Sequence, residues 1–282
     1  MASRILGDDQ TYDPWVNHAL REIYNSYGHT VSTVAKAKSL NKFGRTINAD
    51  SGVKTTVGRF QGTVVNETFV TTNIIDAIIS SSASDTGVIR VEGHTIDTDG
   101  NLSFSVQDVT LTGQTTKLLG TPLARASRAY VKNGTFAAPA SDLVGTVSVY
   151  DNTDGDNASG VPTTAAATKL LIVAGQNQSE KCATSISSVD YWMLKEIHIG
   201  IARSGGVAVN ADFEIEIKEL GGVWRPVGIE SNLRTATNPF ATVALEPYII
   251  VPPNTDIRMV VTTDANDTSA SARMEGLLAV IE

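Results

Sequence analysis

The chain has 282 residues, with 22 Lys and Arg against 30 Asp and Glu, a net charge of −8, and one cysteine, Cys182. A single thiol excludes an intrachain disulfide framework and a thiolate zinc cage, and no run of about 18 apolar residues offers a membrane-spanning helix. Aromatic residues make up 6% while Thr, Ser, Val, Ala and Gly are plentiful, a composition that suits many short strands joined by small-residue turns.

The first dozen residues are polar and without period. Asp13-Pro14 then supplies an N-cap followed by proline in the first helical position. Val16, Ala19, Leu20, Ile23, Tyr24 and Tyr27 recur at helical spacing, and Gly28 provides a stop. One amphipathic helix of about four turns is predicted, too short to be stable alone. Its apolar face therefore lies on the body of the chain or on a neighbouring subunit.

Residues 29–60 lack a strong period and are basic. Lys36, Lys38, Lys42, Arg45, Lys54 and Arg59 stand against Asp50, whereas residues 61–282 carry fourteen basic and twenty-five acidic side chains. So long a connector is unusual unless it is functional. The expectation is an arm that docks on an acidic protein surface; the plainer account is a solvated loop. Nucleic acid is disfavoured as a partner, because the acidic remainder repels phosphate.

Strand signals begin near residue 63. Phe69–Thr72 and Ile74–Ile79 precede a Ser80-Ser81-Ser82 turn. Val88–Ile96 runs into Asp97-Thr98-Asp99-Gly100-Asn101 and returns as Leu102–Val106, a hairpin marked by Asp-Gly. Val109–Leu111 and Lys117–Leu119 suggest a second hairpin, and Arg125–Val131 and Thr146–Tyr150 complete a first group of strands. The polar loop 151–160 and the small-residue stretch 163–167 read as a boundary. Beyond it come Leu170–Val173, Lys181–Ser185, Tyr191–Ala202, Phe213–Leu220, Val223–Ile229, Ala241–Leu245, two runs around Pro252-Pro253-Asn254-Thr255, and Arg273–Ile281. Phe213–Lys218 alternates strictly, which predicts one buried and one wet face. The fold expected is all-β, with two β-sandwich domains of jelly-roll or Greek-key type after an N-terminal arm and helix. The units are 1–60, 61–162 and 163–282.

Little in the chain suggests catalysis. His18, His29, His94 and His198 show no metal-ligand spacing, and neither a phosphate-cradling glycine loop nor a Gly-x-Ser-x-Gly elbow occurs. Asp151, Asp154 and Asp156 carry enough oxygens for calcium, but their glycine is misplaced for an EF-hand loop and no Glu closes it. An acidic, solvated turn is the better account. Trp15, Trp192 and Trp224 are expected as core or interface anchors rather than sugar platforms, and Cys182 as a small buried hydrophobe. No secretory leader is evident at the start, so synthesis in a reducing cytoplasm is expected. No cofactor, metal or membrane partner is expected.

Leu40-Asn41-Lys42-Phe43-Gly44-Arg45, Ser80-Ser81-Ser82-Ala83-Ser84-Asp85, Val91-Glu92-Gly93 and Val109-Thr110-Leu111-Thr112-Gly113-Gln114-Thr115 form an ordered series. In order and spacing this series resembles a family of virion proteins of tailed bacteriophages, of marine podophage and siphophage type, over about half of the chain. There a Leu-x-Lys-Phe-Gly-Arg arm precedes a β domain bearing Thr-Leu-x-Gly. The resemblance implies a virion structural protein made in the host cytoplasm, partnered by the major capsid protein or other virion proteins and by copies of itself, with no catalytic residue. The expected function is non-enzymatic decoration or cementing of a capsid. The alternatives are a tail, neck or fibre-base component and a carbohydrate-active protein. The expected contact residues are Trp15, Leu20, Ile23, Tyr24, Lys42, Phe43 and Arg45.

Overall fold

The computed structural model describes residues 34–62, 66–67, 69–133, 142–203, 208–235 and 239–281. The predicted helix, with Trp15, Leu20, Ile23, Tyr24, His18 and His29, lies outside them. The regular secondary structure of the described residues is nearly all strand: β1 Val34–Ala49, β2 Thr55–Thr56, β3 Ile75–Ser80, β4 Val88–Ile96, β5 Leu102–Thr110, β6 Lys117–Leu123, β7 Arg125–Asn133, β8 Val147–Tyr150, β9 Thr168–Ile172, β10 Ala183–Ser185, β11 Asp190–Arg203, β12 Asn210–Glu219, β13 Arg225–Arg234, β14 Phe240–Val251, β15 Thr255–Thr263 and β16 Thr268–Ile281, with two short 3-10 turns at Asn152–Asp154 and Ala165–Ala167.

These strands form four sheets, and every ladder between them is antiparallel. One sheet has the order β1-β16-β11-β14, and a second has β10-β15-β12-β13 with β2 added to β15. Both feed one buried cluster, which includes Trp192, Ile197, Ile199 and Met274 from the first sheet and Phe213, Ile215, Ile257 and Met259 from the second. The other two sheets, β6-β3-β8-β9 and β5-β4-β7, surround a separate cluster that includes Ile78, Ile89, Val91, Leu123, Val149 and Leu170.

Several expectations hold at the level of turns. The Asp-Gly hairpin joins β4 to β5 in continuous register from Val88↔Thr110 to Ile96↔Leu102. Asp97 Oδ1 accepts the backbone N–H of Asp99 and Asn101, and Gly100 takes φ +85°, a value that L side chains resist. The Pro-Pro corner carries the chain from β14 in one sheet to β15 in the opposing one. Its Asn254 accepts the N–H of Leu102 at 2.8 Å, which ties the corner to the other pair of sheets.

Other expectations are corrected. Residues 34–49, expected within a connector, form a strand paired to β16 from Val34↔Ile281 to Ala49↔Thr268. The period is hidden because, beyond Leu40, the residues directed inward are Lys42, Gly44, Thr46 and Ala49 rather than large aliphatics. Gly44 is required there: a Cβ would stand 2.2 Å from Val57 O and 2.4 Å from Cys182 N. Phe69–Thr72 is not a strand, and β6 pairs with β3 instead of returning along β5. β9 pairs with β8 across the polar loop and small-residue stretch between them. The face of β12 expected to be wet is partly covered. Glu216 is 3% exposed and accepts from Lys54 and Arg258, and Arg258 lies 4.1 Å from the ring of Trp224.

Where the two apolar clusters adjoin, the contacts include buried ion pairs. Arg125 on β7 makes a bidentate pair with Asp256 on β15 at 2.8 and 3.0 Å, both side chains being almost fully buried. Ser185 Oγ donates to Asp256 at 2.6 Å, and Arg125 also donates to the carbonyls of Val70 and Ala124. Lys181 likewise meets Glu67 at 2.9 Å in a buried pair. Removing one member of such a pair strands the other charge away from water and costs about 3–5 kcal/mol, whereas replacing both by well-packed apolar groups is often neutral or better. Asp256→Ala is therefore expected to lower unfolding free energy by about 3–5 kcal/mol in urea denaturation, and Arg125→Met with Asp256→Leu to recover most of that loss. A loss under about 1 kcal/mol for the single variant would contradict this account.

Candidate binding face

The sheet β1-β16-β11-β14 has one face in the core. Because strand side chains alternate, burying Ile197, Ile199 and Ile201 of β11 with Ala270, Ala272 and Met274 of β16 directs their neighbours outward. The registers then set three outward rows across the four strands. Asn41, Glu275, Glu196 and Ala244 form one, Phe43, Arg273, His198 and Thr242 the next, and Arg45, Ser271, Gly200 and Phe240 the third.

The rows are shaped by one small residue. A Cβ at Gly200 would meet the Phe240 ring at 2.7 Å, so the phenyl ring lies close over the glycine backbone. It is 70% exposed there, and Phe43 is 39% exposed at the opposite side of the sheet. Between them runs an open groove of about 310 Å³ lined by Phe43, Arg45, Glu180, His198, Phe240 and Arg273. Arg273 Nε bonds Glu275 Oε1 at 2.6 Å, and His198 Nδ1 lies 3.1 Å from Thr242 Oγ1. Aromatic side chains and arginine around a shallow groove are the composition of an interface core. The groove is floored by sheet and offers no acids facing each other across a cleft.

Of the residues predicted to make contacts, Phe43 and Arg45 lie on this face. Lys42 does not; it points inward to a cavity of about 70 Å³ whose lining includes Lys38, Glu92, His94, Ser185 and Asp190, and its Nζ lies 3.4 Å from the carbonyl of Ser127. Burial lowers the Lys42 amine to about 8, with the Glu92 carboxylate opposing the shift. The same environment holds the buried His94 imidazole neutral, down to about 3, first through burial and then through Lys42 and Arg125. Cys182 is fully buried, and burial pushes its thiol up, as befits an inert hydrophobe.

Trp15 lies outside the described residues; of the other two tryptophans, Trp192 is fully buried and Trp224 makes a tilted ring contact with Phe69 beside Arg258. The carboxylates of Asp151, Asp154 and Asp156 serve separate hydroxyls, on Thr153, Thr164 and Thr116, and do not converge. The grouping that sequence reading missed is Glu196, His198 and Glu275. Glu-x-His on an alternating strand places the first two on one face, a signal present in the sequence; Glu275 arrives from another strand through register.

No family model matches the chain, and no curated protein matches it. Among solved structures it is similar to the T13 viral particle of infectious bursal disease virus, at 12% identity and TM-score 0.23 over 73% of this chain and 68% of that one. It is similar also to the VP2 subviral particle of the same virus, at 12% identity and TM-score 0.23 over 93% and 77%. The mosquito-larvicidal Cry4Aa toxin of Bacillus thuringiensis matches at 9% identity and TM-score 0.23 over 86% and 53%. Likeness at that level carries no functional argument.

The buried Lys42 makes a prediction about pH. Its folded value lies below the ordinary 10.5, so between pH about 8 and 10.5 the unfolded chain binds the extra proton and stability rises with pH. Relative to Lys42→Met, the wild type is expected to gain up to about 1.4 kcal/mol per pH unit across that window. Parallel urea-denaturation curves at pH 7.5, 8.5 and 9.5 check this, and no relative gain would contradict it.

Proposed function

We propose that the chain is a non-enzymatic structural protein of a phage virion, decorating or cementing the capsid and assembling as a homo-oligomer. On this reading the paired sheets are two jelly-roll-like β-sandwiches, and the chain works by adhesion through a preformed surface. The observation that carries it is the outward face of the β1 sheet. The Leu-x-Lys-Phe-Gly-Arg motif of the resembled family falls on β1, where Phe43 and Arg45 face out. With Phe240 and Arg273 they make a rigid aromatic and guanidinium surface with the composition of contact hot spots. Trp15, Leu20, Ile23 and Tyr24, on the helix expected from sequence, supply the second contact.

The tail, neck or fibre-base alternative calls for an exposed aromatic patch at Trp192 or Trp224. Trp192 is fully buried and Trp224 is stacked within the chain, so the capsid reading is preferred. A carbohydrate-active protein would need opposed carboxylates across a cleft; Glu196 and Glu275 sit side by side on adjacent strands instead.

Two measurements test the proposal. Quantitative mass spectrometry of purified particles is expected to find copies on the order of hundreds, as capsid symmetry requires, rather than about a dozen. In light scattering, Phe43→Asp with Phe240→Asp is expected to convert the oligomer to monomer while the circular-dichroism melt is unchanged. Absence from particles, or a double variant that keeps the wild-type mass, would overturn the reading.

A further inference from the structure

Glu196 and His198 are two residues apart on β11 and face the same way, and Glu275 on β16 pairs directly with Glu196. His198 Nε2 stands 3.3 Å from Glu275 Oε1 and 3.9 Å from Glu196 Oε1. One ligand atom from each of the three residues lies within 4.8 Å of the other two. Two ligands held about 2.0–2.2 Å from a tetrahedral zinc ion are themselves roughly 3.3–3.6 Å apart. The cluster is thus close to the spacing that a shared ion imposes.

The other imidazole nitrogen is compatible with this. His198 Nδ1 lies 3.1 Å from the hydroxyl of Thr242, which can accept from it and hold the ring in place. In the tautomer whose Nδ1 donates to Thr242, Nε2 presents a lone pair to two carboxylates, and three electron-rich atoms converge where a cation relieves their repulsion. Arg273 satisfies part of Glu275 through Oε1 at 2.6 Å, but a carboxylate has about four lone-pair sites, enough to serve both an arginine and an ion.

We infer that Glu196, His198 and Glu275 bind a divalent cation of the zinc class on the outer face of the sheet. One imidazole with two carboxylates suits such a borderline ion, whereas magnesium prefers an octahedron of oxygens. All three side chains are part exposed, so the remaining coordination positions face solvent. The inference stands apart from the virion reading, since it needs neither a capsid nor an oligomer.

Isothermal titration of the full chain with zinc chloride is the test. Single-site binding is expected, weakened at least about tenfold in His198→Ala and in Glu275→Gln, with His18→Ala plus His29→Ala leaving it unchanged. Zinc is also expected to raise the melting temperature of the wild type but not of His198→Ala, which reports on the site in a chain whose fold is verified by circular dichroism. No binding by the full chain would overturn the inference. So would zinc binding that survives His198→Ala, or magnesium binding of equal strength.

Discussion

Arg125 and Asp256 lie 131 residues apart in the chain and meet in a bidentate pair almost wholly removed from water. Burying two charges costs several kcal/mol per ion before anything is gained. The cost is offset because the groups around them are met in turn: Ser185 donates to the carboxylate, two backbone carbonyls accept from the guanidinium, and the ring of Phe69 lies 5.1 Å from its central carbon. An apolar seam would hold the two clusters together equally well but in many registers. A fork of hydrogen bonds accepts one alignment, and this alignment sets where β7 stands against β10 and β15.

The candidate face inherits its geometry from that seam. Lys42 reaches across toward the carbonyl of Ser127, two residues from Arg125, and Gly44 lets β1 lie against Val57 and Cys182. Fixing those inward residues fixes the outward ones between and beside them, since alternation leaves Phe43 and Arg45 no other side. The buried amine and the exposed guanidinium are therefore two consequences of one strand being pinned. Burying the Lys42 ammonium opposes its charge, and the proximity of Glu92 only partly compensates; the strand tolerates this strain on the charged form because thirteen of its sixteen residues pair along β16.

Much of the architecture was legible from short-range chemistry. The Asp97–Asn101 turn, the Pro-Pro corner, the alternation of Phe213, Ile215 and Ile217 and the burial of Cys182 all follow from local rules. What was not legible depended on partners distant in sequence. β1 carries no aliphatic period, because beyond Leu40 its inward positions are met by a carbonyl of β7 and by close backbone approach. Glu216 reads as a solvent residue until Lys54 and Arg258 are brought beside it. In the same way Phe43 and Arg45 could be nominated from a motif, while the two rows they complete needed the registers of three further strands.

How the molecule would engage a neighbour follows from the state of its sheet edges. An exposed edge invites another strand unless it is blunted by lysine, proline or bulges. The β1 edge has register breaks at both ends, between Val34 and Lys36 and between Thr46 and Ala49, and carries Lys36 and Lys38. The opposite edge, β14, contains Pro247, which has no N–H to donate, and its ladder with β11 breaks between Leu194 and Glu196. Strand addition is discouraged on both sides, so the surface left to a partner is the face. There the Phe240 ring lies over the Gly200 backbone yet stays 70% exposed, so it presents apolar area for a partner to cover.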